Sequence, residues 1–326
     1  MILLWLMLAQ TPDALNDRAQ QLAQSGRAEE AAAIWRQLPL TFFPAAFNLG
    51  FFHYSRKEHQ QAEPYLARAA KINPADFNTR FLLGQVKSAQ GQGDAALREW
   101  RSALALQPAH AGLMAIMSVE YSKGGYFRDA ALIAKRALAL KPGDLDSYFL
   151  AIKACQDAQD PEGPLLAAQA AQKFPASARA SFEHAWFLQR GGRAADSAVF
   201  LQKAMTLDPA YEEPFYFYGT MLLDEGKLAE SVAPLRQAIG NRSAYTLASV
   251  ALGRALMELD RLDEARTTLE EAARQDLRHP QPPLMLSRLY YRQGDEAKAR
   301  AAKELSLRLR RENAGALETP QSRPFR

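Results

Sequence analysis

FNTRFLLGQVKSAQGQGDAALREWRSALALQPAH, residues 77–110, is one copy of a pattern that recurs down most of the 326-residue chain. Aligning the chain on the glycine between two apolar runs, and on the proline that closes them, gives nine units. They start near residues 12, 43, 77, 111, 145, 178, 212, 246 and 280. A period this close to 34 residues is that of a helix-turn-helix array. Within residues 77–110, Leu83, Gly84 and Lys87 share one face of a first helix, and Ala96, Trp100 and Ala103 recur at helical spacing on a second.

Gly91 stands between the two helices, and Gly26, Gly125, Gly192, Gly226 and Gly294 hold the matching place in other units. Glycine ends the first helix there because it takes the left-handed conformation without a side-chain penalty. Pro74, Pro108, Pro142 and Pro209 stop the second helix, since proline lacks the amide donor a helix interior needs. Gly84 and Ala96 are small enough to let the two helices approach closely. Helix pairs this short bury too little to stand alone, so neighbouring pairs must stack on one continuous core. In the fifth unit Asp160-Pro161-Glu162-Gly163-Pro164 replaces the usual turn, which predicts a late start for the second helix with Pro164 near its first position.

These residues resemble the tetratricopeptide repeat family. Leu49-Gly50, Leu83-Gly84 and Leu252-Gly253 match its Leu-Gly pair, and Tyr121 and Tyr290 match its tyrosine. Ala31, Ala62, Ala96, Ala130, Ala265 and Ala299 match the first alanine, and Trp35 and Trp100 the aromatic. Ala69, Ala103, Ala137, Ala171, Ala204, Ala238 and Ala272 match the second alanine. The family's leading tryptophan is not kept; Leu15, Ala46, Arg80 and Met114 stand in its place. The resemblance implies an all-α fold, a right-handed α-solenoid of about nine tetratricopeptide helix-turn-helix repeats. The expected organisation is an apolar N-terminal segment over 1–11, the solenoid over 12–312, and a tail over 313–326 without fixed structure.

With 48% hydrophobic and 23% charged residues, the composition is that of neither a disordered nor a membrane-embedded chain. A net charge of +4 is too mild to call for a polyanion, so nucleic acid is not expected as a partner. Cys155, the single cysteine, falls where the family buries a tyrosine and reads as a small packed hydrophobe. The five histidines are scattered without metal-ligand spacing, and no phosphate-binding loop or nucleophile elbow is present. Catalysis, a metal and a cofactor are therefore not expected.

Met1-Ile2-Leu3-Leu4-Trp5-Leu6-Met7-Leu8-Ala9 is an uninterrupted apolar run. It is shorter than the roughly 20 residues of a bilayer span, and it matches the apolar core of a secretion signal, about 7 to 15 residues. No Lys or Arg precedes it. An export element is the first reading, which carries an exported or periplasmic location and peripheral membrane association. A hydrophobic cap on the first repeat, or a misassigned start, is the alternative and leaves the chain cytoplasmic.

In the family, the first helices of successive units line a concave groove, exposing the second, fifth, ninth, twelfth and thirteenth positions of each unit. Carried onto this chain, the resemblance places Phe47, Phe51, Tyr54 and Phe81 in the groove from the second and third units. From the fifth to seventh it adds Phe149, Phe182, Trp186 and Tyr216. Such a density of rings suggests a surface for an extended or helical peptide, against the alternative that each ring packs on the neighbouring unit. Arg254, Arg288 and Arg292 project into the groove from the last two units and suit a carboxylate, with Glu258 and Asp224 near enough to neutralise them. Asn48 and Asn78 match fragments of the clamp with which some family members hold a chaperone tail. Asn16, Gln20 and Leu82 stand where its charges belong, so that ligand is not expected. The expected function is a noncatalytic interaction scaffold for a protein or peptide partner. An envelope-associated assembly or secretion factor is the runner-up, and nothing in the pattern marks an oligomeric state.

Overall fold

A computed structural model describes residues 11–39, 41–242 and 245–317; the apolar run Met1–Ala9 and residues 318–326 of the expected tail lie outside the described residues. Eighteen helices and no strand are present among the described residues. They gather into two compact units, Met1–Leu166 and Ala167–Arg326.

The first unit holds α1 (Pro12–Gln24), α2 (Ala28–Gln37), α3 (Phe43–Ser55), α4 (His59–Ile72), α5 (Phe77–Ala89), α6 (Gly93–Leu106), α7 (Ala111–Lys123), α8 (Phe127–Leu140) and α9 (Leu145–Ala158). The boundary falls within α10 (Gly163–Lys173). The second unit continues with α11 (Ala178–Arg190), α12 (Ala194–Leu207), α13 (Glu212–Asp224), α14 (Leu228–Asn241), α15 (Thr246–Glu258), α16 (Leu262–Gln275), α17 (Gln281–Arg292) and α18 (Glu296–Leu317). Each unit is an all-α solenoid segment in which odd-numbered first helices and even-numbered second helices form hairpins that stack on the next pair. In the first unit Ala19, Ala31, Trp35, Leu49 and Phe52 form one stretch of core, and Ala62, Leu66, Leu83 and Val86 another. In the second, Leu223, Leu235, Leu252, Leu269, Leu286 and Leu289 make a stretch that runs across several helices.

The turn takes the left-handed conformation in all nine repeats, with the expected glycine in six of them. The six glycines expected there have φ between +75° and +83°. Lys57, Gln159 and Asp260 take the same place in the remaining three repeats, with φ of 62°, 53° and 61°. First helices are capped locally: Asp76 accepts from the Thr79 N–H at 2.7 Å, Asp144 from Ser147 at 2.9 Å and Ser177 from Ala180 at 3.1 Å. The late start in the fifth repeat is present, since α10 begins at Gly163 and runs 11 residues against 14 for α8 and α12.

The hairpins close on small residues. A Cβ on Gly50 would come within 2.6 Å of Leu66 Cγ, and one on Gly219 equally near Leu235 Cγ. Where serine replaces that glycine, its hydroxyl bonds across the hairpin to the alanine carbonyl: Ser118 to Ala130 at 3.0 Å and Ser287 to Ala299 at 2.8 Å. One boundary differs from the expectation, because α18 passes Glu312 and ends at Leu317. Asn313 explains part of this, donating from its side chain to the Arg278 carbonyl at 3.2 Å. Ala314, Ala316 and Leu317 are residues that favour helix.

Candidate functional site

A first helix carries its fifth and twelfth residues on one stripe, and its second, ninth and thirteenth on another some 40° to 100° round the axis. The two stripes meet different fates. Phe47 and Phe81, both fifth residues, and Tyr54, a twelfth, are part-buried against Ala62, Leu66, Leu83 and Val86. Phe81 also lies 5.9 Å from Phe77 and 6.4 Å from His110, the residue that caps the next first helix, ring centre to ring centre. Phe51, a ninth residue, is 50% exposed.

Two of the expected groove rings are not available to a ligand. Phe149 is 7% exposed and Phe182 8% exposed. Phe182 is sealed by edge contacts to Tyr211 and Phe217, at 5.4 and 5.3 Å. Tyr216, another fifth residue, packs against Tyr245, the residue just before the next first helix, at 5.1 Å, and burial pushes its hydroxyl pKa up. The alternative of neighbour packing therefore describes the fifth-residue stripe. Trp186, on the other stripe, is part-buried with the Arg190 guanidinium 4.8 Å from its ring centre, so its face already carries a cation.

The three arginines are exposed but unequal. Arg254 reaches Glu258 at 3.1 Å and Asp224 at 3.7 Å, which are the neutralising partners expected for it. Arg292 donates to the Met257 carbonyl at 2.5 Å and to Asp260 at 3.0 Å. Arg288 meets only the Met285 sulfur, at 4.0 Å, and is the one of the three without a carboxylate partner among the described residues. Asn48, read as a clamp fragment, donates instead to Asn16 Oδ1 at 3.1 Å, the same oxygen that accepts from Trp35 Nε1 at 3.1 Å.

A search for rings alone misses two side chains on the exposed stripe. Val119, a ninth residue, is 46% exposed, and Leu247, a second residue, is 47% exposed. The offsets that point to Phe51 point equally to them. On the first unit the uncovered large apolar side chains of this face are thus Phe51 and Val119, and on the second Leu247 with part of Trp186. Cys155 is buried, and burial pushes its thiol up to about 11, so the uncharged form predominates near neutral pH. No helix among the described residues is long and apolar enough to cross a membrane.

The profile of the tetratricopeptide repeat matches residues 12–37 and 222–282. The BBSome complex member BBS4 of Bos taurus is 24% identical over 302 residues, covering 90% of this chain; the chain spans 57% of the length of that curated relative. Among solved structures, PilW, described as a widely conserved type IV pilus biogenesis factor, superposes with a TM-score of 0.51 at 19% identity. That match covers 66% of this chain and 96% of PilW, and the likeness is one of fold. YrrB, described as a TPR protein with an unusual peptide-binding site, gives 0.46 at 17% identity over 56% of this chain and 95% of its own.

Proposed function

The chain belongs to the tetratricopeptide repeat family, and from that premise we propose that it is a noncatalytic interaction scaffold whose first-helix face takes a peptide or protein segment. The observation that carries this reading is the exposure of Phe51 and Val119. Stacking of helix pairs uses the fifth-residue stripe and leaves about half of each of these two side chains exposed to water, Phe51 at 50% and Val119 at 46%. Apolar side chains at the same offset on α3 and α7 offer a partner anchoring points on separate repeats of one unit. The membership of BBS4 in a protein complex is consistent with such a role. Photo-crosslinking tests it: a benzophenone side chain at position 51 or 119 should trap a partner, and one at the second-helix position 132 should not. Equal trapping at all three would remove the first-helix face as the site.

A second reading, an exported or envelope-associated assembly or secretion factor, rests on the apolar run Met1–Ala9. It concerns where the scaffold works and is compatible with the same binding face.

A further inference from the structure

A groove of about 790 Å3 lies between α2 and α4, over α3. Its origin is legible by comparing repeats in register. Ala46, Arg80, Met114 and Tyr148 hold the same place in four successive first helices. Arg80 spans to Glu99 at 2.7 Å, and Met114 and Tyr148 are buried side chains that fill the place themselves. Two turns on, Lys87 bridges from α5 back to Glu63 on α4 at 3.1 Å. Its counterpart on α3 is His53, which turns instead to Glu58, 2.7 Å from Nδ1, and stacks on Tyr65 with ring centres 5.5 Å apart. Ala46 contributes one methyl group where its counterparts contribute a long side chain. The space left over is the groove.

The lining has a distinct chemistry. Trp35, Leu38, Leu49, Pro64 and Tyr65 make apolar walls, while Arg36, Arg68, Gln60 and Gln61 stand among them. No lining residue is acidic. Arg27, Arg56 and Arg80 of the same unit each have a carboxylate partner, whereas Arg36 and Arg68 form no ion pair among the described residues. Arg36 lies 5.9 Å from the centre of the Phe52 ring.

We propose that this groove docks an acidic segment of a partner protein, which inserts one bulky apolar side chain, tryptophan or phenylalanine, over Ala46 and sets carboxylates against Arg36 and Arg68. A large ring entering an apolar recess supplies the contact area, and the two guanidinium groups fix its orientation. The site lies on the second-helix side, so it stands or falls separately from the binding face formed by Phe51 and Val119.

The test uses the full chain and a short fluorescein-labelled synthetic peptide with one tryptophan flanked by aspartates, read by anisotropy. Two matched probes replace the tryptophan by alanine or the aspartates by lysines. The acidic tryptophan peptide should bind saturably, and either matched probe about tenfold or more weakly. Ala46→Met, which imitates Met114, should reduce binding by a similar factor without lowering the melting temperature. Should that variant fold poorly, the change Arg36→Glu with Arg68→Glu carries the test: it should lose the acidic peptide and gain the lysine one. Phe51→Ala should leave all of this unchanged. No saturable binding, or binding indifferent to both variants, would overturn the proposal. So would a dimer, seen by sedimentation, that Ala46→Met dissolves, because the groove would then belong to a second copy.

Discussion

The indole of Trp100 occupies the space that a side chain on Gly84 would need, and it is held there by donating its Nε1–H to the carbonyl oxygen of Phe81 at 3.1 Å. Glycine is thus required by the neighbouring helix at this point, while Gly84's own backbone is ordinary helix. Trp100 is 1% exposed and cannot retreat without opening the core. Gly84→Ala should therefore destabilise the chain by about 1 to 3 kcal/mol, despite the higher helix propensity of alanine. A urea titration followed by circular dichroism checks this; an unchanged or raised midpoint would contradict it.

The turn makes the opposite forecast at two positions. Lys57 and Gln159 hold the left-handed conformation that six other repeats give to glycine. Replacing either by glycine should stabilise by about 1 kcal/mol, since a side chain there costs about 1 to 2 kcal/mol and glycine returns part of that as unfolded-state entropy. Asp260 is a poorer choice because it also pairs with Arg292 at 3.0 Å. Melting temperatures of the two single variants should both rise.

Much of this was legible in the sequence, for a physical reason. The 34-residue period, the glycine turns and the buried alanines are local requirements of a close helix hairpin, so they are written at fixed offsets. Lys57 and Gln159 were less visible because nothing in their chemistry announces a positive φ, and Asp260 because aspartate adopts it only occasionally. The aromatic positions were legible only as a set. Helical offsets place Phe51 and Phe182 on neighbouring stripes, and which stripe is covered depends on how the next repeat stacks. The same holds for Ala46. Its small size is plain in the sequence, but a recess appears only once Arg80, Met114 and Tyr148 are seen filling the equivalent place.

Cys155 supplies a pH-dependent test of its own packing. Burial disfavours the charged thiolate and pushes the pKa up to about 11, so the reactive form is scarce at pH 8 and grows only as pH approaches that value. A disulfide reagent at pH 8 should label the native chain more than about a hundredfold more slowly than the urea-unfolded chain. Prompt labelling of the native chain would show Cys155 to be accessible.

The location is tested without reference to the fold. Residues 1–20 fused to a reporter active only outside the cytoplasm should give activity, and deletion of residues 2–9 should abolish it. A silent fusion would favour a cytoplasmic scaffold.

The central claim is that the exposed stripe binds while the fifth-residue stripe holds the fold together. Partner affinity and melting temperature measured side by side on Phe51→Ala and Phe182→Ala, using the partner trapped through position 51, address it directly. Phe51→Ala should weaken binding by about 2 kcal/mol with the melting temperature unchanged. Phe182→Ala, which empties a buried aromatic site, should cost about 3 to 5 kcal/mol of stability. A Phe51→Ala variant that binds as tightly as the parent chain, or that melts as early as Phe182→Ala, would contradict the account.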